Sequence, residues 1–246
     1  MKANLPLLFC VATAVLCGRA SAIEFSNTVV AGKRVTVCRV EVRKDRLQLF
    51  LRDDKDTPLK SFEGIDHWLK PRGERLVFAM NAGMYQRDLS PLGLYVWGGK
   101  QLSPLNTTNG TGNFFLKPNG VFLLSEAGAE VVETSEYPGL RRSISLATQS
   151  GPLLVHAGKI HPLFKSNSVS RTIRNGVGVP SPELAVFAIS EEPINLYEFA
   201  TLFRDVLGCS DALYLDGLIS SLHSTHLKRS DAKANLGPII GISEKQ

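Results

Sequence analysis

The stretch "NLYEFATLFRDVLGCSDALYLDG", residues 195–217, carries a helix and a strand almost back to back. Leu196, Phe199, Ala200, Phe203, Val206 and Leu207 recur at the i, i+3, i+4, i+7 spacing that builds one apolar helix face. Asn195 is a good N-cap and Gly208 a good terminator, so the helix is predicted over 195–208. Four residues later the run "LYLD" reads as a buried strand that stops at Asp216-Gly217. A strand ending on a carboxylate has two readings. Asp-Gly is a favoured turn; the C-terminal ends of strands are also where ligands and catalytic groups tend to sit in α/β sheets.

Outward from this stretch, strands dominate. Val35 to Arg52, "VTVCRVEVRKDRLQLFLR", alternates apolar and polar residues on both sides of Lys44-Asp45 and predicts a β-hairpin. Ser61 to Lys70 is a short helix candidate, and "RLVFAMNAG", 75–83, reads as a buried strand closing at Asn81-Ala82-Gly83. Further hairpins are predicted with turns at Gly98-Gly99, at Pro118-Asn119-Gly120 and around His156-Ala157-Gly158. More strands are expected at 130–133, 144–149, 153–155, 176–179, 184–190, 212–216 and 238–242. The expected class is α+β: a mixed, mostly antiparallel sheet with a main helix, 195–208, packed on one face.

The first 22 residues have a basic start at Lys2, an apolar run from Leu5 to Leu16 and a small-residue site "ASA" at 20–22. They read as a secretory signal peptide cleaved after Ala22, which leaves 23–246 as a single domain. No later apolar run is long enough to span a bilayer. The net charge is +5, or +3 without the leader, with no block of Lys and Arg, so nucleic acid is a poor partner. Cys38 and Cys209 remain beyond the leader, open to one bridge or to two separately buried thiols. No cofactor or metal is expected.

Several residues carry chemistry. In "SVSRTIRNGVGV", 168–179, two arginines three apart precede Asn-Gly and a small-residue strand, where a ligand can approach backbone closely. Planar guanidinium groups bind phosphate through paired hydrogen bonds, which points to an anionic substrate. Glu198, three residues after Asn195, fits a capping box. It also stands on the element leading to Asp216, and two carboxylates are what glycosidic cleavage generally requires. A serine-hydrolase reading of Ser220, Ser221, His223 and His226 lacks the G-x-S-x-G elbow. A metal site from Asp216, His223 and His226 matches no strong ligand spacing.

Taken in order, "NAGMY", "SGPLLVHAGKI", "SRTIRNGVGV", "NLYEFATLF" and "DALYLDGLISSLH" resemble the phosphodiester glycosidase family, and in particular its small bacterial branch, from about Val77 to Ile242. The resemblance implies hydrolysis of a sugar-1-phosphodiester at its glycosidic bond, on a phosphorylated sugar or envelope glycan, by a protein secreted to the bacterial periplasm. Matched position by position, it implies Glu198 and Asp216 as the catalytic carboxylates, and Asn81, Arg171, Ser220 and Ser221 as substrate-binding residues. Gly83 and Gly217, beside Asn81 and Asp216, complete that set. The family commonly continues its aspartate into a glycine-rich LDGGGS-like run, whereas Leu218-Ile219 stands here, making the pocket more apolar. The rival reading is a non-catalytic periplasmic binding protein for anionic envelope glycans, in which Glu198 only caps its helix.

Overall fold

The computed structural model describes residues 23–246; the expected leader, 1–22, lies outside the described residues. Every named strand pairing is antiparallel, and the strands are divided among three sheets rather than gathered in one. The largest, seven-stranded, includes Glu24–Val30, Lys33–Glu41, Leu184–Ser190, Asn175–Ser181, Asp211–Asp216 and Leu153–His156 in that spatial order. A second sheet centres on Glu74–Asn81, flanked by Leu222–Ser224 and Ile239–Lys245. Ile144–Ser150 is the middle strand of the third, between Tyr95–Trp97 and Gly120–Ser125.

Period-two alternation explains how three sheets share one core. Cys38, Phe187, Ile189, Leu213 and Leu215 of the first sheet meet Phe78, Met80 and Ile240 of the second and Tyr95, Phe122 and Leu146 of the third. Phe187 stands at the middle, 5.4 Å from Phe78 and 5.9 Å from Phe122, ring centre to ring centre. The alternate residues of the first sheet, Val37, Val186, Ala188, Ala212 and Tyr214, face away and pack on Phe199, Leu202 and Phe203. The outer face of the second sheet is covered by the helix Phe62–Leu69, whose N-cap Ser61 accepts from the Gly64 N–H at 3.0 Å.

Three expectations are corrected. The expected main helix over 195–208 is a six-residue α-helix, Leu196–Thr201, followed by a π-turn, Leu202–Val206. The wider π-turn shifts the buried face by a residue: Leu202 is fully buried, whereas Val206, expected inside, is 50 % exposed. Residues 35–52 do not form a hairpin. Lys33–Glu41 pairs with Glu24–Val30 and Leu184–Ser190, while Leu47–Phe50 pairs with Ile239–Lys245 in the second sheet. Asp45 accepts from the Glu41 N–H at 3.1 Å and fixes the bend that sends the chain across. The Pro118-Asn119-Gly120 turn likewise closes no hairpin, because Gly120–Ser125 pairs forward with Gly128–Glu133. The turns at Gly98-Gly99 and His156-Ala157-Gly158 do join paired strands. Cys38 and Cys209 are both buried and free, in separate apolar clusters.

Candidate active site

Where the first and second sheets meet, two strands end on polar residues. Asp211–Asp216 closes on Asp216 and Glu74–Asn81 on Asn81. Asn175, the register partner of Asp216, bridges them: its Nδ2 donates to the Asn81 carbonyl at 2.9 Å. Asn81 Oδ1 in turn accepts from the Ser221 N–H at 2.8 Å. The Ser220 hydroxyl lies 3.0 Å from the Asp216 carbonyl and 3.3 Å from Asn175 Oδ1. Asn81, Asn175, Ser220 and Ser221 are all buried, and the hydrogen bonds among them satisfy the polar groups that burial takes from water. They form the floor beneath the Asp216 loop and do not line its cavity. Gly83 is also buried structure. A Cβ there would lie 2.3 Å from the Gln149 carbonyl oxygen.

Above that floor lies a cavity of about 420 Å³ lined by Asp216, Gly217, Arg171, Arg174, Tyr214 and Met84, among others. Burial pushes the half-buried Asp216 carboxyl up to about 6, against the opposing pull of the Gly217 and Ile219 N–H groups. Gly217 is required by contact, because a Cβ would fall 2.2 Å from the Tyr214 hydroxyl. Tyr214, two residues before Asp216 and on the same side of its strand, is pushed up to about 12, chiefly by burial.

The two arginines have different surroundings. Arg171 is half exposed and makes a fork-to-fork pair with Glu198, Nη1 to Oε2 at 2.6 Å and Nη2 to Oε1 at 2.7 Å. Those hydrogen bonds hold the Glu198 carboxyl below the usual glutamate range, burial opposing. Glu198 completes the capping box as well: its N–H donates to Asn195 Oδ1 at 2.8 Å, and its Oε2 accepts from the Asn195 N–H at 3.3 Å. Both oxygens are thereby engaged, and Glu198 is not among the residues lining the Asp216 cavity.

Arg174 is only 2 % exposed and forms no ion pair with any carboxylate among the described residues. Its Nε donates to the Ile194 carbonyl at 2.7 Å, Nη1 to the Tyr214 hydroxyl at 2.9 Å and Nη2 to the Ser170 carbonyl at 3.0 Å. A guanidinium carries five N–H groups, so the second N–H on each of Nη1 and Nη2 has no acceptor among the described residues. A buried cation without a counter-charge is costly unless an anion joins it. Of the arginine pair, only Arg171 is among the residues expected from the sequence to bind substrate. The available signal was that Arg174 directly precedes the buried strand Asn175–Ser181.

The two histidines take no part in the cavity. His223 has Nδ1 3.0 Å from Ser230 Oγ and Nε2 3.2 Å from the Leu76 carbonyl, while His226 stacks on Phe25.

The fold has relatives among solved structures. The catalytic domain of zebrafish N-acetylglucosamine-1-phosphodiester alpha-N-acetylglucosaminidase, auto-inhibited by its pro-peptide, matches with a TM-score of 0.59 at 14% identity, over 91% of this chain and 82% of that one. A hypothetical protein from Synechocystis matches with a TM-score of 0.53 at 14% identity, over 90% of this chain and 61% of that one. At such identities the likeness is one of fold. Sequence carries the rest: residues 74–242 match the phosphodiester glycosidase family, and the chain belongs to that family. Uncharacterized protein YigE of Escherichia coli (strain K12) is 40% identical over 145 residues, 59% of this chain and 57% of that protein, so the match spans little more than half of this relative.

Proposed function

We propose that the protein hydrolyses the glycosidic bond of a sugar-1-phosphodiester, releasing the sugar and a phosphomonoester. The observation that carries this is Arg174: a buried guanidinium without a counter-charge, in the wall of the cavity that holds Asp216. The free N–H groups on its two terminal nitrogens match the oxygens of a phosphodiester. Asp216, mostly ionised above about pH 6, takes the proton from water as its oxygen bonds to the sugar C1 and the C1–O bond to phosphate breaks. The bonding electrons leave on the phosphate oxygen, a fair leaving group without protonation. Arg171, paired with Glu198, completes the same wall. Glu198 then positions Arg171 and caps its helix, and Asn81, Ser220 and Ser221 brace the Asp216 loop. Gly217 and Gly83 admit the close contacts described above. Family membership supports the reaction type and a phosphorylated sugar as substrate. The protein acts after export as one unit, 23–246, in the periplasm, with residues 1–22 as its leader. Among the described residues no helix is long and apolar enough to cross a membrane.

One observation favours the second reading, a binding protein for anionic glycans: Glu198 is fully occupied as cap and ion-pair partner. Incubating the mature protein with a panel of sugar-1-phosphodiesters decides between them. Release of reducing sugar, lost in Asp216→Asn, supports the hydrolase. Saturable binding of the panel without release supports the binding protein.

A further inference from the structure

A second cavity, of about 380 Å³, adjoins the first, and the two share Ser170 and Arg174 in their walls. Its character is different. Leu163, Phe164, Val169, Leu196 and Tyr197 give it largely apolar walls beside Asn167 and Ser168, and among the described residues no carboxylate lines it. Six large apolar side chains are strongly exposed among the described residues. Three of them line these joined cavities: Leu163 at 61 %, Val169 at 93 % and Leu218 at 90 %. Scattered exposed apolar residues need no explanation, but a cluster around a functional cleft does.

A phosphodiester has two arms. With its phosphate on Arg174 and the sugar C1 beside Asp216, the sugar fills the first cavity, and the other arm leaves on the opposite side of the guanidinium, into the second. We infer that the second cavity is an aglycone subsite and that the alcohol esterified to the sugar phosphate is an apolar chain of acyl or isoprenoid character. This rests on the phosphodiester reading above. Lys165 also lines the subsite, and its four-carbon stem can lie along an apolar chain while its ammonium stays in water. A polar or sugar aglycone would find Asn167 and Ser168 in this wall but would leave the strongly exposed Val169 and Leu163 facing water.

Calorimetry with methyl, butyl and hexyl phosphate tests the subsite without requiring turnover. Each methylene that enters an apolar site raises affinity up to about fourfold. The expected result is therefore a gain of tenfold or more from methyl to butyl and a further gain to hexyl. In a Leu163→Asp/Val169→Asp variant, checked for folding by its melting temperature, the gain with chain length is expected to vanish. Equal affinities across the series in the wild-type protein would overturn the inference. So would a gain that survives in the double variant, or tighter binding of a nucleoside monophosphate than of hexyl phosphate. Should chain length raise affinity while no sugar-1-phosphodiester is cleaved, the subsite stands and the hydrolase reading falls.

Discussion

Replacing Asp216 by Asn separates what this carboxylate does for chemistry from what it costs the fold. Burial lifts its pKa from 3.8 to about 6, so the folded protein holds a proton on Asp216 over a pH range in which the unfolded chain has released it. The penalty for the buried charge is absent below about pH 4, grows as pH rises, and is complete above about pH 6. A gap of about two pH units amounts to about 3 kcal/mol at pH 7.5 and about 1 kcal/mol at pH 4.5. Asn escapes this penalty, and its amide oxygen still accepts from the Gly217 N–H. The melting temperature of Asp216→Asn minus that of wild type is therefore expected to be larger at pH 7.5 than at pH 4.5. The increase should be about 4–8 °C, at the 2–4 °C per kcal/mol typical of a domain this size. Comparing two pH values cancels any pH-independent effect of the substitution. Turnover moves the opposite way: the variant is expected to lose about 100-fold to 10,000-fold. Wild-type activity should fall as pH drops through about 6. A melting difference that is the same at both pH values, or larger at pH 4.5, would refute the buried-charge account.

Arg174→Lys is expected to weaken binding of inorganic phosphate, measured by calorimetry, more than Arg171→Lys does, since Arg171 is already engaged by Glu198; the reverse order would return phosphate recognition to Arg171. Glu198→Gln preserves the capping box and should melt within a few degrees of wild type, whereas Glu198→Ala keeps the Asn195 cap but loses the reciprocal bond to the Asn195 N–H and should melt lower than the Gln variant. With Glu198 in the proposed positioning role, the Gln variant should show a raised KM while its turnover drops less than about tenfold. Turnover slowed by about 100-fold or more would instead make Glu198 the second catalytic carboxylate. Gly217→Ala forces a methyl group against the Tyr214 hydroxyl and should cost about 1–3 kcal/mol in denaturant unfolding; an unchanged midpoint would refute the close approach.

What could be read from the sequence followed the range of the interaction. Asp216 and Asn81 as strand-closing polar residues were legible, because an apolar run that stops on a polar residue is a local signal. The capping box at Asn195 and Glu198 was legible for the same reason. Partners across the chain were not. The Val35–Arg52 alternation describes two strands correctly, but nothing local says that they belong to different sheets, with partners at 184–190 and 239–245. The division of labour between Arg171 and Arg174 was hidden likewise. Three residues apart, they differ only in what folds around them: Glu198 beside one, Tyr214 and Ile194 around the other. The π-turn left no trace in a helical pattern that tolerates one residue of phase error.

The Asn81–Asn175–Ser221 seam has a consequence for changing what the protein accepts. Its hydrogen bonds, side chain to backbone and between the Asn81 and Asn175 amides, tie the two strand ends together, while none of its residues lines either cavity among the described residues. The side chains that line the cavities, such as Met84, Val169 and Leu218, belong to segments outside that brace. Framework and cavity wall are therefore carried by separate residues. Libraries confined to the cavity walls can retune the ligand without loosening the scaffold, whereas a single exchange at Asn175 disturbs both sheets at once.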